Sequence, residues 1–298
     1  MVQVVDEEDN PIEDAHVQIT YPQKIASEYD TSRGLSNDKG VFAHTGNAHA
    51  LLYVVVKKDG FYTTTFDQPL YRVNQLGERE LFNPEITAVL KRVERPIPMY
   101  ALGTFLREIP AYDEPVGFDL KENDWVSPFG DGAVSDLIFE LEGTYVEWMN
   151  HDSTLTLSFS NKGDGLVPFT ASEREGSQLL SSHLAPENGY VQEMKWRRAI
   201  FPQPERRIKP FDRIKEYDEN LNYVIRVRTV LDEDGNIESA HYGKIYGDMQ
   251  FDPTWDRESY LKFRAYYLNP TTNDRNIEFA VGESLIEGID ERDEPSLP

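Results

Sequence analysis

Short runs with an apolar residue at every second position dominate this sequence. Ala15, Val17, Ile19 and Tyr21 alternate with His16, Gln18 and Thr20, the period of a strand with one buried face. Val2, Val4 and Val5 precede that run across the turn cluster Asp6 to Pro11. Asn37-Asp38-Lys39-Gly40 turns into Val41 and Phe42, and Leu51 to Val56 is an apolar strand that ends at Lys57-Lys58-Asp59-Gly60. Phe61 and Tyr62 open the threonine run Thr63 to Thr65, and Ile86, Ala88 and Leu90 alternate again. The pattern predicts about seven short strands and no helix before Arg92, which is a small antiparallel β-sandwich.

Arg95-Pro96-Ile97-Pro98 is a stiff, extended connection, because proline fixes its own φ and restricts the residue before it. It separates a first domain, 1–93, from a second, 94–298. In the second, alternating runs predict strands at Leu137–Leu141, Thr154–Phe159, Tyr223–Val230 and Tyr260–Leu268, with a hairpin turn at Asp234-Gly235. Glu173–Leu184 is the one helical candidate. The fold class read from these runs is all-β: a seven-stranded sandwich followed by a larger β-sandwich or jelly-roll-like domain.

Charge changes the picture next. The chain of 298 residues has 53 Asp and Glu against 30 Lys and Arg, a formal charge of −23, which argues against generic affinity for nucleic acid. There is no cysteine, so thiolate catalysis, disulfides and cysteine-rich metal sites are excluded. The six histidines are scattered singly, without zincin spacing. No apolar run approaches the ~20 residues of a membrane-spanning helix, and no leader pattern precedes Val2.

Three ordered blocks in the first domain carry a resemblance. Asp6 through Val17, then Asn37-Asp38-Lys39-Gly40-Val41-Phe42, then Tyr53 through Phe61 are similar to the pattern of the carboxypeptidase regulatory-like (prealbumin- or transthyretin-like) domain over residues 2–92. Asn10 stands where that family usually has glycine, a substitution the turn accepts if Asn10 takes a left-handed conformation. The resemblance implies a seven-stranded sandwich in a secreted or cell-envelope bacterial protein, serving as spacer, platform or binding module, with no catalytic residue carried over. Tyr267-Leu268-Asn269-Pro270 with Asn273 to Asn276 resembles segments of uncharacterised secreted bacterial proteins, and no function comes with it.

Candidate binding residues follow from chemistry. Exposed tryptophans grip sugars by stacking on apolar ring faces. Trp125 and Trp255, in turn-like contexts, are the candidates for exposure, with Trp196 and Trp148 behind them; core packing is the competing reading for each. Lys195–Lys215 carries eight basic residues against two acidic ones, and its prolines favour an extended loop. Arg197, Arg198, Arg206 and Arg207 there suit an acidic polysaccharide or an acidic cell-surface protein, unless they pair with the chain's own acids. Glu140, Glu142 and Glu147 beside Trp148 are the acids to inspect for a glycan-processing enzyme, the alternative to a binding module or a structural spacer. No cofactor is implied. Asp131 and Asp164 lie in glycine-bearing turns that suit calcium, although ordinary solvated turns have the same composition. Glu283–Pro298, with six acids against Arg292, reads as a solvated acidic tail.

Overall fold

The computed structural model describes residues 1–22, 29–45, 51–74, 77–81, 85–147, 149–171, 176–203, 205–206, 208–209, 211–253 and 259–298. These residues form an all-β, sandwich-like fold with one short 3-10 turn, Glu291–Asp293. No helix among them is long and apolar enough to cross a membrane. The chain divides into two compact units, Met1–Glu94 with Ala171–Leu180, and Arg95–Thr170 with Ser181–Pro298.

Unit 1 contains β1 (Val2–Val5), β2 (His16–Pro22), β3 (Tyr29–Leu35), β4 (Val41–Phe42), β5 (Leu51–Lys57), β6 (Thr64–Pro69), β7 (Tyr71–Val73), β8 (Arg79–Leu81) and β9 (Ile86–Val89). They make a three-stranded sheet β4-β1-β9, a four-stranded sheet β3-β2-β5-β6 and the hairpin β7-β8; β1 and β9 are parallel. The alternating residues of the sequence pattern point into one core, with Val2, Val4, Val17, Ile19, Val54, Val56, Ile86, Ala88 and Leu90 buried together. Each such Val, Ile or Leu side chain contributes about 1.5–3 kcal/mol of transfer free energy.

Turn chemistry sets the strand ends. The Asp6 carboxylate accepts the backbone N–H groups of Glu8 and Asn10, at 3.1 and 2.8 Å. The left-handed residue of this turn is Asp9, at φ +63°, not Asn10, whose side-chain amide instead donates to Asp6. In the next turn Asn37 Oδ1 accepts from Lys39 N and Val41 N. Gly40 closes it at φ +73°, where a Cβ would overlap the carbonyl oxygen of Val4.

The edge of β6 is filled by a distant segment. Thr65 N donates to Gly176 O at 2.8 Å and Gln178 N to Thr63 O at 3.0 Å, so Gly176–Gln178 lies against the sheet like a short extra strand. This overturns the helix expected over Glu173–Leu184, of which residues 173–175 lie outside the described residues. Gly176 is a poor helix former, and the β6 edge supplies its backbone with partners that a helix would otherwise provide.

Unit 2 contains β10 (Ile97–Leu102), β11 (Phe105–Glu108), β12 (Val116–Asp119), β13 (Asp124–Trp125), β14 (Leu137–Glu147), β15 (Asn150–Ser158), β16 (Gly165–Thr170) and β17 (Glu193–Pro202). It continues with β18 (Phe211–Lys215), β19 (Leu221–Leu231), β20 (Ile237–Tyr246), β21 (Gln250–Phe251), β22 (Tyr260–Phe263), β23 (Ala265–Leu268) and β24 (Phe279–Ser284). Two six-stranded sheets, β13-β12-β14-β15-β17-β18 and β16-β19-β20-β23-β10-β24, share one core with a small sheet β11-β22-β21. The run expected as one strand over Tyr260–Leu268 splits at Arg264, whose N–H donates to Tyr246 O and whose C=O accepts from Thr104 N, so β22 and β23 serve different sheets.

One half-buried cation ties the two large sheets together. Arg228 sits at a bulge in β19 with φ +56°. Its guanidinium donates twice to Asp136, at 2.7 and 2.8 Å, and once to Asp119 at 2.7 Å. Asp119 also accepts the N–H groups of Lys121, Glu122, Ala133 and Val134, and Asp136 that of Leu120. Two carboxylates share one cation. Burial pushes the Asp136 carboxyl up, while Asp119, also buried, is held below its ordinary value because its backbone donors and Arg228 outweigh that burial.

Removing the cation with Arg228→Met leaves two buried carboxylates facing each other and should cost about 3–5 kcal/mol in urea denaturation at pH 7. Without Arg228 both folded-state carboxyl pKa values rise, so the deficit should shrink between pH 7 and pH 5; a pH-independent deficit contradicts this account. Gly40→Ala should cost about 2–3 kcal/mol, because left-handed strain and a backbone overlap add. Gly60→Ala, at φ +80° with nothing within 4 Å of its Cβ position, should cost only the strain of about 1–2 kcal/mol.

Candidate functional site

The tryptophans expected at the surface pack inside. Trp125 is buried edge-to-face against Phe118, with ring centroids 5.2 Å apart, and reaches Phe139 as well. Its acidic neighbours do not expose it, because Asp124 turns back on the chain, accepting from Trp125 N at 2.8 Å and Asp131 N at 2.8 Å. Trp196 is buried too, its indole N–H donating to Asp248 Oδ1 at 2.7 Å. Tyr223 donates to the same oxygen, and its hydroxyl pKa is pushed up by burial and by that carboxylate. Trp255 and Trp148 lie outside the described residues.

The basic segment is not one extended loop. It folds as the antiparallel pair β17 and β18, with Trp196 opposite Leu155 on the core face of β17 and Lys195 and Arg197 on the other face, an alternation that the proline count obscures. Arg197 forms a two-pronged contact with Asp152, both distances 2.8 Å, and its backbone N–H donates to Glu216. The hydrogen bonds from Arg197 hold Asp152 below the ordinary carboxylate range. Arg198 donates to Phe251 O at 2.5 Å and lies 3.7 Å from Asp252; Arg206 pairs with Asp212 at 2.7 Å, and Lys195 with Glu193 at 3.2 Å. These arginines are thus engaged by the chain's own acids and carbonyls. Arg207 lies outside the described residues.

The acids expected as a catalytic or metal-binding group are dispersed. Glu140 and Glu142 share the outer face of β14, opposite Thr156 and Thr154, and Glu147 lies at the far end of the strand. Asp131 is exposed. Asp164 is buried, with one oxygen accepting Thr229 N at 2.8 Å and the other Asn161 Nδ2 at 2.9 Å. Among the described residues no three His, Asp or Glu side chains converge into a group that could hold a metal ion.

The structure does gather one group of polar side chains that sequence reasoning passed over. His151 and Ser153 occupy the same face of β15, and in the register of β15 with β17 Ser153 stands opposite Arg198. His151 is 4% exposed and Ser153 1%, yet His151 Nδ1 and Ser153 Oγ have no hydrogen-bond partner. A neutral imidazole has one N–H and one bare acceptor nitrogen, so His151 can present either to a small polar molecule. Burial and the Arg198 charge lower the His151 pKa, so the ring is neutral at pH 7. Ser153 does not hydrogen-bond the imidazole, so the two are not coupled as nucleophile and base. What they offer is an imidazole nitrogen and a hydroxyl for a small polar molecule such as water. The signal for this group is weak in the sequence, because His and Ser at alternate positions read as the solvated side of a strand.

Comparison with known proteins adds no identity: no family model, no curated protein and no solved structure matches the chain.

A neutral buried histidine makes stability depend on pH with a definite sign. Its folded pKa lies below the ordinary value of 6.5, so the unfolded chain takes up the proton first and stability falls as pH drops below about 6.5. His151→Gln should flatten the decline between pH 7.5 and pH 5 measured by thermal denaturation. A residual slope should remain from His241, which burial also lowers. An unchanged profile in His151→Gln would show that His151 is not buried neutral.

Proposed function

We propose that this chain is a non-catalytic binding module of a bacterial cell envelope or exterior, which pairs an edge of its first unit with an extended polypeptide segment of a cell-surface protein. In this reading unit 1 is a carboxypeptidase regulatory-like sandwich. Its three-stranded and four-stranded sheets over a common core, with turns at the Asp6 and Asn37 blocks, support that assignment. The larger unit, a sandwich of two six-stranded sheets comparable to a jelly roll, serves as its platform.

The observation that carries the reading is the edge of β3. Among the described residues β3 pairs with β2 alone, along seven residue pairs. Ser36 N donates to Ala15 O at 3.0 Å, which sets the alternation, so Gly34, Ser32 and Asp30 bond to β2 while Leu35, Arg33 and Thr31 turn their backbone groups outward. Thr31 N is taken by the Asp30 carboxylate at 2.9 Å, and the Arg33 side chain is pinned across the sheet to Gln18 at 2.8 Å, so it does not guard the edge. Tyr29, 60% exposed, and Leu35, 49% exposed, flank the open stretch as apolar anchors. An unguarded edge of this kind is the template for strand addition. The opposite edge of the same sheet, at β6, already holds Gly176–Gln178 in that manner.

A glycan partner loses support by comparison, since Trp125 and Trp196 are in the core and Arg197 and Arg206 are paired. The test sets the purified chain against an array of ten-residue peptides and an array of acidic and neutral polysaccharides. Arg33→Pro removes the outward N–H of β3 and should lower peptide retention at least tenfold, with circular dichroism unchanged. Retention by polysaccharides alone, or peptide retention that survives Arg33→Pro in a folded variant, overturns the proposal.

A further inference from the structure

The segment expected to be a solvated acidic tail is docked on unit 2. Gly103 N donates to Asp293 O at 2.5 Å, and a Cβ at Gly103 would stand 2.9 Å from the main-chain oxygens of both Asp293 and Glu294. Pro295 and Pro298 are buried, with Ser296 between them exposed. Tyr267 Oη then donates to Leu297 O at 3.1 Å and Tyr246 Oη to Pro298 O at 2.9 Å. Acidity alone did not decide the fate of this segment, because its acidic side chains end at Glu294, just after the 3-10 turn, and Pro295 to Pro298 have none.

The surface beneath it is built for a peptide. Tyr246, Tyr267 and Phe279 form an aromatic row on the outer face of β20, β23 and β24, with centroids 5.2 and 5.3 Å apart along the row. The ammonium of Lys244, fully buried, lies 4.9 Å from the centroids of both tyrosine rings and 3.4 Å from Ser181 Oγ. Burial holds the Tyr267 hydroxyl protonated, so it can only donate to a carbonyl or accept from a donor. Two buried hydroxyls thus bond the oxygens of two successive residues, and with Pro295 and Pro298 buried beside Ser296 the site takes an extended, proline-bearing strand by its backbone.

We propose that this face of unit 2 is a peptide-binding site for an extended proline-bearing segment, occupied by the chain's own Glu294–Pro298, which a segment of the same kind supplied in trans can replace. The site is separate from the β3 edge and stands independently of the role given to it above.

The experiment uses the full chain and a variant lacking residues 295–298, with a fluorescein-labelled peptide of residues 290–298 as probe. Anisotropy should show saturable binding to the shortened chain and at least tenfold weaker binding to the full chain. Tyr246→Phe with Tyr267→Phe in the shortened chain should abolish it. A folded shortened chain that does not bind the peptide, or a full chain that binds it equally well, overturns the proposal. If the shortened chain does not fold, the cysteine-free sequence allows a second measurement on the full chain, in which Leu297→Cys provides a unique thiol. Its alkylation should be slow and should accelerate at least tenfold on adding Tyr246→Phe and Tyr267→Phe; equal rates in both backgrounds overturn the proposal.

Discussion

The larger unit is organised around the guanidinium of Arg228. Two six-stranded sheets packed face to face gain free energy from apolar burial without any preference for where the loops at their ends lie. Arg228 supplies that preference. Its fork reaches Asp136 and Asp119, and the oxygens of these two acids in turn gather the backbone donors of Leu120 to Glu122 and of Ala133 and Val134. A left-handed conformation at an arginine costs about 1–2 kcal/mol, and the bulge in β19 that imposes it is what aims the side chain at both acids. The strain is held in place by a network in which each carboxylate accepts several donors, the condition under which buried charge is tolerated.

The same rule governs the other polar groups inside this unit. Asp248 accepts from Trp196, Tyr223 and two backbone N–H groups, so an acid within the core fixes the orientation of two large aromatic side chains. Aromatic residues whose polar ends are satisfied internally have no need of the surface. His151, Ser153 and Thr229 depart from this rule among the described residues of the unit, and of these His151 and Ser153 share one strand face.

Strand existence was legible from alternation alone where one face of a sheet meets water, as in β2 and the first half of β14. It was less legible where both faces are covered. In β19 and β20 nearly every residue from Asn222 to Val227 and from Ala240 to Tyr246 is buried, because Ala185, Ile277 and Tyr190 pack over the outer face beside Val224 and Tyr242. Covering segments of this kind have no period, so their partner face cannot be inferred from the strands themselves. Trp125 was misplaced for a related reason: its acidic neighbours signal a solvated turn, but Asp124 and Asp119 spend their carboxylates on backbone N–H groups and draw the turn inward. The basic run was legible as a concentration of charge and not as an interface, since Asp152, the two-pronged partner of Arg197, stands 45 residues before it, and Glu216 meets Arg197 only when β17 and β18 pair.

Two segments of this chain, Gly176–Gln178 and Glu294–Pro298, lie extended and are held chiefly through their backbones. Such contacts depend little on side-chain identity, which is the property the proposed binding of extended chain relies on. Covalent attachment is what keeps the receiving surfaces filled. A tethered segment acts at an effective concentration of about millimolar, and an outside segment with equal contacts displaces it only above that concentration or with further contacts of its own. The β3 edge has no such tethered occupant among the described residues. In the proposed reading a partner meets least competition at β3, whereas at the aromatic face under Glu294–Pro298 it must exceed the effective concentration of the resident segment or bind better. The difference between the two surfaces lies in what already occupies them, and it makes one an open contact and the other a gated one.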